Sequence, residues 1–493
     1  MKDLERLRRQ IGQRICAGFT GTEVTEEIRK LVREWKVGNI LLYSRNVVSF
    51  PQLKQLCRDL DALIREETGQ PALIMIDEEC GAVSHLGHLA GETPSAGAIG
   101  ATDRPEYARA IGALIGRRLR AVGIHMSLAP VLDCLLQPKN RVMSSRCFAR
   151  EPEKVARFGC AYIKGLHEAG ILTCGKHFPG HGDTVTDSHL ALPTIDKSIE
   201  ALKKTELVSF QSAIAAGTDA MMSAHILFPA LDNLPATISA KILQGLLREE
   251  LGFDGLILSD GMEMEAMLNL FPIPEGVLRA LKAGVDIALV CHEPPQAAAA
   301  CRRAMESVMA GDMEEDTIEA HDRRIREVKS RLQPATGSEA DFLNPEGRKL
   351  SRQIMTEVVQ LIHRPGGNAL PEVTEKTGFF GCVSRRRSPV EGEKNMNAAE
   401  MSAAHFGARL IPPEETELPA DMETLVGFLE IGDETERNLR RIRRWAKEGK
   451  KIIAVALDTP AVLSECPETV WKITGWQYQK LAVETVIRLL QNR

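Results

Sequence analysis

The stretch Lys176-His-Phe-Pro-Gly-His-Gly-Asp-Thr-Val-Thr-Asp-Ser-His189 puts one lysine, three histidines and two aspartates within fourteen residues. Pro179, Gly180 and Gly182 break any regular helix there, so His177 and His181 share no helical face and the stretch reads as a shaped, polar loop. Two chemistries suit it. Histidine and aspartate are ordinary zinc ligands, although the spacing matches no common zinc signature and Lys176 beside His177 disfavours a dication. The other chemistry is proton transfer. In Asp187-Ser-His189 a carboxylate two residues from an imidazole can accept its second N–H, fixing the tautomer and raising the basicity of a ring that titrates near ~6.5. Surface Asp/His pairs are common, so a second group is needed. Asp260 supplies it, as a carboxylate able to attack the anomeric carbon of a sugar and stabilise oxocarbenium charge.

Positioning these groups requires a scaffold. Short apolar runs recur at residues 14–19, 38–43, 72–77, 123–129, 171–175, 219–223, 255–259 and 285–290, with amphipathic stretches such as 198–216 and 239–251 between them. Alternation of strand and helix implies parallel strands joined by crossovers. Eight units in this length predict a (β/α)8 barrel, whose active site lies at the C-terminal ends of the strands. Those ends are polar: strand three runs into Asp77-Glu78-Glu79, strand four into Asp133 with Arg146 beyond it, strand five into Lys176-His177, strand six into His225 and strand seven into Asp260.

A charged helical segment, 312–332, closes this region, and Gln333-Pro-Ala-Thr-Gly-Ser reads as a linker. Beyond it, runs at 356–363, 378–383, 425–431 and 451–457 read as strands, 384–399 as a polar, basic loop, and 480–490 as an amphipathic helix. The expected organisation is a catalytic barrel over residues 1–335 and a smaller α/β domain over 336–493, since 493 residues exceed one ordinary core.

Composition narrows the function. A formal net charge of -5 with no basic stripe argues against a nucleic-acid partner. No apolar run approaches the ~20 residues that span a bilayer, so no membrane association is expected. The N-terminus is charged from its start and lacks the apolar core of a secretory signal. Eleven cysteines without a C-x-x-C pair, several of them in apolar runs (Cys134, Cys174, Cys291), fit reduced thiols in a cytoplasmic enzyme.

The same residues carry a family resemblance. The 176–193 loop, with Ala129-Pro-Val-Leu-Asp133, Arg146-Cys-Phe148, Met222-Ser-Ala-His225 and the Ser259-Asp260 strand end, resembles the β-N-acetylglucosaminidases of glycoside hydrolase family 3, known from bacterial peptidoglycan recycling. Residues 336–493 resemble that family's three-layer α/β domain. The resemblance implies a retaining β-N-acetylhexosaminidase acting on terminal β-linked N-acetylglucosamine, without cofactor or metal. Asp260 would be the nucleophile, His189 the acid/base and Asp187 its partner. Asp77, Arg146, Lys176, His177 and His225 would bind or line the carbohydrate substrate. The family's usual Asp-Gln-Glu-Gly-Gly-Arg-Val-x-Arg is here Asp77-Glu-Glu-Cys-Gly-Ala-Val-Ser-His85, so His85 would stand where an arginine meets the sugar and read its hydroxyls differently. The alternatives are phosphorolysis or altered sugar specificity on the same scaffold, a degenerate sugar-binding barrel, and a metal-dependent hydrolase.

Overall fold

The protein, described by a computed structural model, is defined at residues 4–184, 192–381, 383–384, 396–415, 417–419, 421–432 and 434–491. Eight strands, β1 (Ile15–Ala17), β2 (Asn39–Leu42), β3 (Leu73–Ile76), β4 (Met126–Ser127), β5 (Leu172–Phe178), β6 (Ala220–Ser223), β7 (Leu256–Gly261) and β8 (Ile287–Val290), close into a barrel in sequence order. All neighbours are parallel. Each predicted run overlaps one of these strands; β5 and β7 extend beyond theirs, by three and two residues. Their sequences read as continuous apolar runs because both faces are buried, one by the surrounding helices and one by the barrel's own filling. That filling is a layered cluster of Cys16, Leu41, Met75, Leu128, Cys174, Met222, Leu258, Leu289 and their neighbours. The described cysteines are free thiols, and all but Cys160 are buried.

The helices have readable ends. Phe50–Thr68 starts at Ser49, whose side chain accepts the Gln52 N–H, and stops at Gly69 in the left-handed region. The predicted helix over 198–216 is two helices, Ile199–Lys204 and Glu206–Ala215. The hydroxyl of Thr205 bonds back to Ala201 O and Glu206 is buried, so a local side-chain bond competes with the helix at that joint.

After helix Glu315–Ser330 a second sheet forms in the order β9 (Leu361–His363), β14 (Trp471–Thr474), β13 (Lys451–Ala456), β12 (Thr424–Leu429), β10 (Gly378–Gly381) and β11 (Arg409–Leu410). It is parallel except for β9. Alternate residues pack opposite ways. Val426, Phe428, Ile453 and Val455 meet Ala398–Phe406 and Lys480–Gln491 on one face. Leu425, Leu429, Ile452 and Ala454 meet Leu439, Ile442 and Trp445 of Thr435–Lys447 on the other. The sheet is thus the middle of three layers.

The run at 356–363 is strand only from Leu361. The preceding helix, Pro345–Val358, extends into it, started by the Asn344 side chain, which accepts the Gly347 N–H, and held by Ile354, Met355 and Val358. This helix faces two ways: Ile354, like Phe342 before it, joins the barrel's outer core, while Met355 and Val358 join the core of the second sheet. Among the described residues no helix is long and apolar enough to cross a membrane.

Candidate active site

The C-terminal ends of the barrel strands surround a cavity of about 320 Å³. Its lining includes Tyr43, Asp77, Arg146, Lys176, His177, His181, Asp260, Glu263 and His292 over an apolar floor of Leu41, Leu128, Met222 and Leu289. Six of the eight strand ends therefore deliver a polar group, as barrel geometry requires of a site.

One edge of the site is set by the chain beyond β4. Residues 129–133 run alongside β5: the Lys176 N–H donates to Pro130 O at 3.1 Å and the Leu132 N–H to Lys176 O at 2.7 Å. That register places Asp133 against His177. Asp133 Oδ2 accepts the His177 backbone N–H at 3.1 Å and its ring Nδ1–H at 2.7 Å, while Oδ1 accepts the His181 N–H at 2.6 Å. A carboxylate only accepts, so Nδ1 of His177 carries the proton and Nε2 is left for the cavity. Burial raises the Asp133 carboxyl, but His177 and His181 outweigh it and the group stays ionised below the usual range. His181, buried and beside His177, is held down at about 4 and so remains neutral.

A charge ladder forms the next wall. Arg146 grips Glu79 with two bonds, Nε to Oε2 at 2.8 Å and Nη2 to Oε1 at 2.7 Å. Lys176 Nζ reaches Glu79 Oε1 and Asp77 Oδ1, both at 2.6 Å. Alternation along the chain turns Glu78 the other way, where it accepts from Ser84 Oγ and the His85 and Leu86 N–H groups and fixes the hairpin turn. Burial pushes the Glu79 carboxyl up, yet Arg146 and Lys176 reverse this and hold it at about 2. Burial pushes Lys176 down, and its two carboxylates drive it above its ordinary value. With Asp260, three carboxylates face two cations, and the excess negative charge tells at Asp77. Burial first, then Glu79 and Asp260, raise its carboxyl against the pull of Lys176.

Asp260 sits near the end of β7, with Oδ1 accepting the Gly261 N–H at 2.8 Å. Desolvation raises its carboxyl, but His177, His225, that N–H and Lys176 together keep it below the ordinary aspartate value. It is an anion at neutral pH, set in the cavity wall beside cationic and imidazole groups. His225 does not line the cavity. It lies behind, its Nε2–H donating to Gly261 O at 2.9 Å and its Nδ1 facing Thr237 Oγ1 at 2.8 Å, and so fixes the carbonyl of Gly261, the residue next to Asp260.

His85 is likewise in the layer behind. Its Nδ1 accepts the Ser44 N–H at 3.2 Å and meets Ser44 Oγ at 2.8 Å, and its ring lies edge-on to Tyr43. Tyr43, with Arg45 over its ring at 4.3 Å, presents the cavity face instead. Ala82 packs with Ala98 and Met355 against the second sheet's core. Asp183 pairs with Lys197 at 2.7 Å, away from the lining, and ties the loop to the barrel. Asp187 and His189 lie outside the described residues. Sequence reading passed over Tyr43, Glu263 and His292, and named Glu79 only as part of the polar end of strand three. The signal for Tyr43 and His292 was present, since Tyr43 ends one predicted strand and His292 follows another. Glu79 needed the register to separate it from Glu78, and Glu263 lines the cavity together with Glu265.

Comparison with known proteins agrees with this geometry. The profile of the glycosyl hydrolase family 3 N-terminal domain matches residues 6–328. A beta-hexosaminidase of Stenotrophomonas maltophilia (strain K279a) is 37% identical over 285 residues, 56% of this chain and 83% of that protein. One from Thioalkalivibrio sulfidiphilus (strain HL-EbGR7) is 39% identical over 290 residues, 58% of this chain and 82% of that protein. A solved family 3 beta-N-acetylglucosaminidase from Paenibacillus sp. str. FPU-7 superposes with a TM-score of 0.89 at 30% identity, covering 98% of this chain and 96% of that one.

Proposed function

Because the chain belongs to glycosyl hydrolase family 3, and is thereby a glycoside hydrolase, we propose that it is a retaining β-N-acetylhexosaminidase that removes terminal β-linked N-acetylglucosamine. The observation that carries the reading is Asp260, an ionised carboxylate at a barrel strand end, facing a cavity whose other wall is the Lys176–Asp77 pair. In the first step Asp260 attacks the anomeric carbon, its Oδ–C1 bond forming as the bond from C1 to the aglycone oxygen breaks. His189, oriented by Asp187, gives the leaving oxygen its proton. In the second step it takes a proton from water, which displaces Asp260 and restores the β-configuration.

The remaining groups bind and orient. Lys176 and Arg146 offer donors, Asp77 offers acceptors to ring hydroxyls, and His177 turns Nε2 toward the sugar with its tautomer set by Asp133. His225 acts from behind through Gly261. The catalytic unit extends over residues 1–335, with the second domain over 336–493. The proposal includes peptidoglycan fragments as the source of the sugar, supported by the resemblance of the 176–193 loop, and the cytoplasm as the site of action, supported by the free thiols of the described cysteines.

The test is a panel of 4-nitrophenyl β-glycosides (N-acetylglucosaminide, N-acetylgalactosaminide, glucoside) assayed with and without phosphate. Release is expected from the N-acetylglucosaminide, independent of phosphate. A slow fluorinated N-acetylglucosamine donor should leave its mass on the peptide containing Asp260. Full activity of Asp260→Ala would overturn the nucleophile, and a phosphate requirement with a sugar phosphate product would convert the reading to phosphorolysis.

A further inference from the structure

Arg146 reaches the cavity from a long excursion between β4 and the helix Pro152–Glu168, and the second sheet meets that excursion directly. The C-terminal ends of β12 and β13 are where open α/β sheets commonly hold a ligand. Here they hold barrel residues. Asp458, fully buried just after β13, accepts the Ser144 hydroxyl and, at 3.2 Å, the Ser145 N–H on the same oxygen, Oδ1. Gly432, after β12, lies against the guanidinium of Arg141, 3.5 Å from the position a Cβ would occupy. Ser144 adopts φ +24°, a conformation disfavoured for a residue with a Cβ, so the turn needs an external hold. Asn140 holds the other end, its Oδ1 accepting the Val142 and Met143 N–H groups and its Nδ2 donating to His181 O.

From this geometry we infer that Asp458 is a positioning residue for the sugar site, through which the second domain sets Arg146. The path is continuous. Asp458 fixes Ser144 and Ser145, the next residue is Arg146, Arg146 grips Glu79, and Glu79 shares Lys176 with Asp77. Loss of the Asp458 carboxylate leaves the turn without the acceptor for two donors and frees the guanidinium to drift from Glu79. The inference rests on the proposed glycosidase reading only for its substrate. The brace itself is a property of the fold.

Three full-length variants test it. Asp458→Ala removes the acceptor. Asp458→Asn keeps a carbonyl that can accept both bonds. Gln477→Ala cuts a second strut between the domains, in which Gln477 Oε1 accepts the Ser95 N–H at 2.5 Å, without touching the 140–147 turn. On 4-nitrophenyl N-acetyl-β-glucosaminide, Asp458→Ala should raise KM roughly tenfold with kcat changed less, because an ångström of misplacement in a group that holds substrate is worth up to ~100-fold. Asp458→Asn should restore KM to within about threefold. Gln477→Ala should leave KM alone whatever it does to melting temperature. Hydrogen exchange over residues 140–148 should rise in Asp458→Ala and not in Gln477→Ala. That readout needs no substrate, so it judges the brace even if the wild-type protein cleaves none of the panel, an outcome that would overturn the glycosidase reading instead. Unchanged exchange and KM in Asp458→Ala would overturn the inference, as would an equal rise of KM in Gln477→Ala.

Discussion

Replacing Glu79 with glutamine keeps the shape of the side chain and removes the charge on which Arg146 and Lys176 converge. The wild-type carboxylate accepts three charge-assisted bonds of 2.6 to 2.8 Å. Glutamine retains one acceptor, and its NH2 group turns a donor toward a guanidinium that can only donate. Two estimates of the cost agree. The Glu79 carboxyl is held at about 2 against an ordinary 4.5, a difference of about 2.5, which at ~1.4 kcal/mol per pH unit corresponds to about 3 kcal/mol. Removing one partner of a buried ion pair costs ~3–5 kcal/mol by direct measurement in other proteins. A loss of that size should lower the melting temperature of a chain of 493 residues by about 3 °C or more. It should also cut kcat/KM by roughly 100-fold, because both cations of the sugar wall lose their anchor. The assay is differential scanning fluorimetry with steady-state kinetics on the aryl N-acetylglucosaminide. Adding Arg146→Met to Glu79→Gln should destabilise by less than the sum of the two single changes, because the orphaned guanidinium goes with its partner. A Glu79→Gln protein that melts within 1 °C of wild type and keeps kcat/KM within threefold would refute the ladder as the organiser of this wall.

Further outcomes follow from other parts of the site. His225→Leu removes an imidazole that holds the Asp260 carboxyl down, so the acid limb of the kcat/KM profile should move to higher pH, and an unmoved limb would separate His225 from the nucleophile. His181 is buried and held at about 4 against 6.5, so the unfolded chain binds more protons than the folded one between those values. Its contribution to stability is complete above pH ~6.5 and lost as the pH falls to ~4, and that of Glu79 is lost from about 4.5 downward. Melting temperature should therefore fall steadily with acidification below pH ~6.5, and a rise in that interval would contradict the burial of a neutral His181. A Cβ on Gly182 would meet Cys134 O at 1.6 Å, so Gly182→Ala should displace the loop carrying the candidate acid/base pair, costing ~1–3 kcal/mol of stability and most of the activity. Wild-type kinetics in that variant would show that the loop tolerates the shift.

The barrel was legible because its strands are buried on both faces, which leaves short apolar runs that no surface strand would show. Its site was legible at the level of residue type, since polar residues cluster where such runs end. Which neighbour faces the cavity was not legible. Asp77, Glu78 and Glu79 are alike in sequence, and only the pleat of the extended chain turns Glu78 to the hairpin and Glu79 to Arg146. The place of His85 depended on Tyr43, which occupies the cavity face in front of it. In the second domain, β14 was missed because Trp471-Lys-Ile-Thr474 is short and half polar. The helix Thr435–Lys447 was missed because Leu439, Ile442 and Trp445 make a narrow stripe among arginines. Asp458 was beyond reach, since its partners lie 313 and 314 positions away in the chain.

The helix Pro345–Val358 bears on how this chain can be divided. Ile354 seals the barrel's coat while Met355, the very next residue, seals the second sheet. A cut on its N-terminal side would strip the barrel of Ile354 and leave a greasy scar, whereas a cut on its C-terminal side would leave the sheet without a cover and the barrel carrying a sticky handle. The two halves are therefore less like beads on a string than like rooms sharing one wall. Grafting the second domain onto another barrel would mean transplanting the wall with it, together with the surface of the barrel that the wall was built to fit.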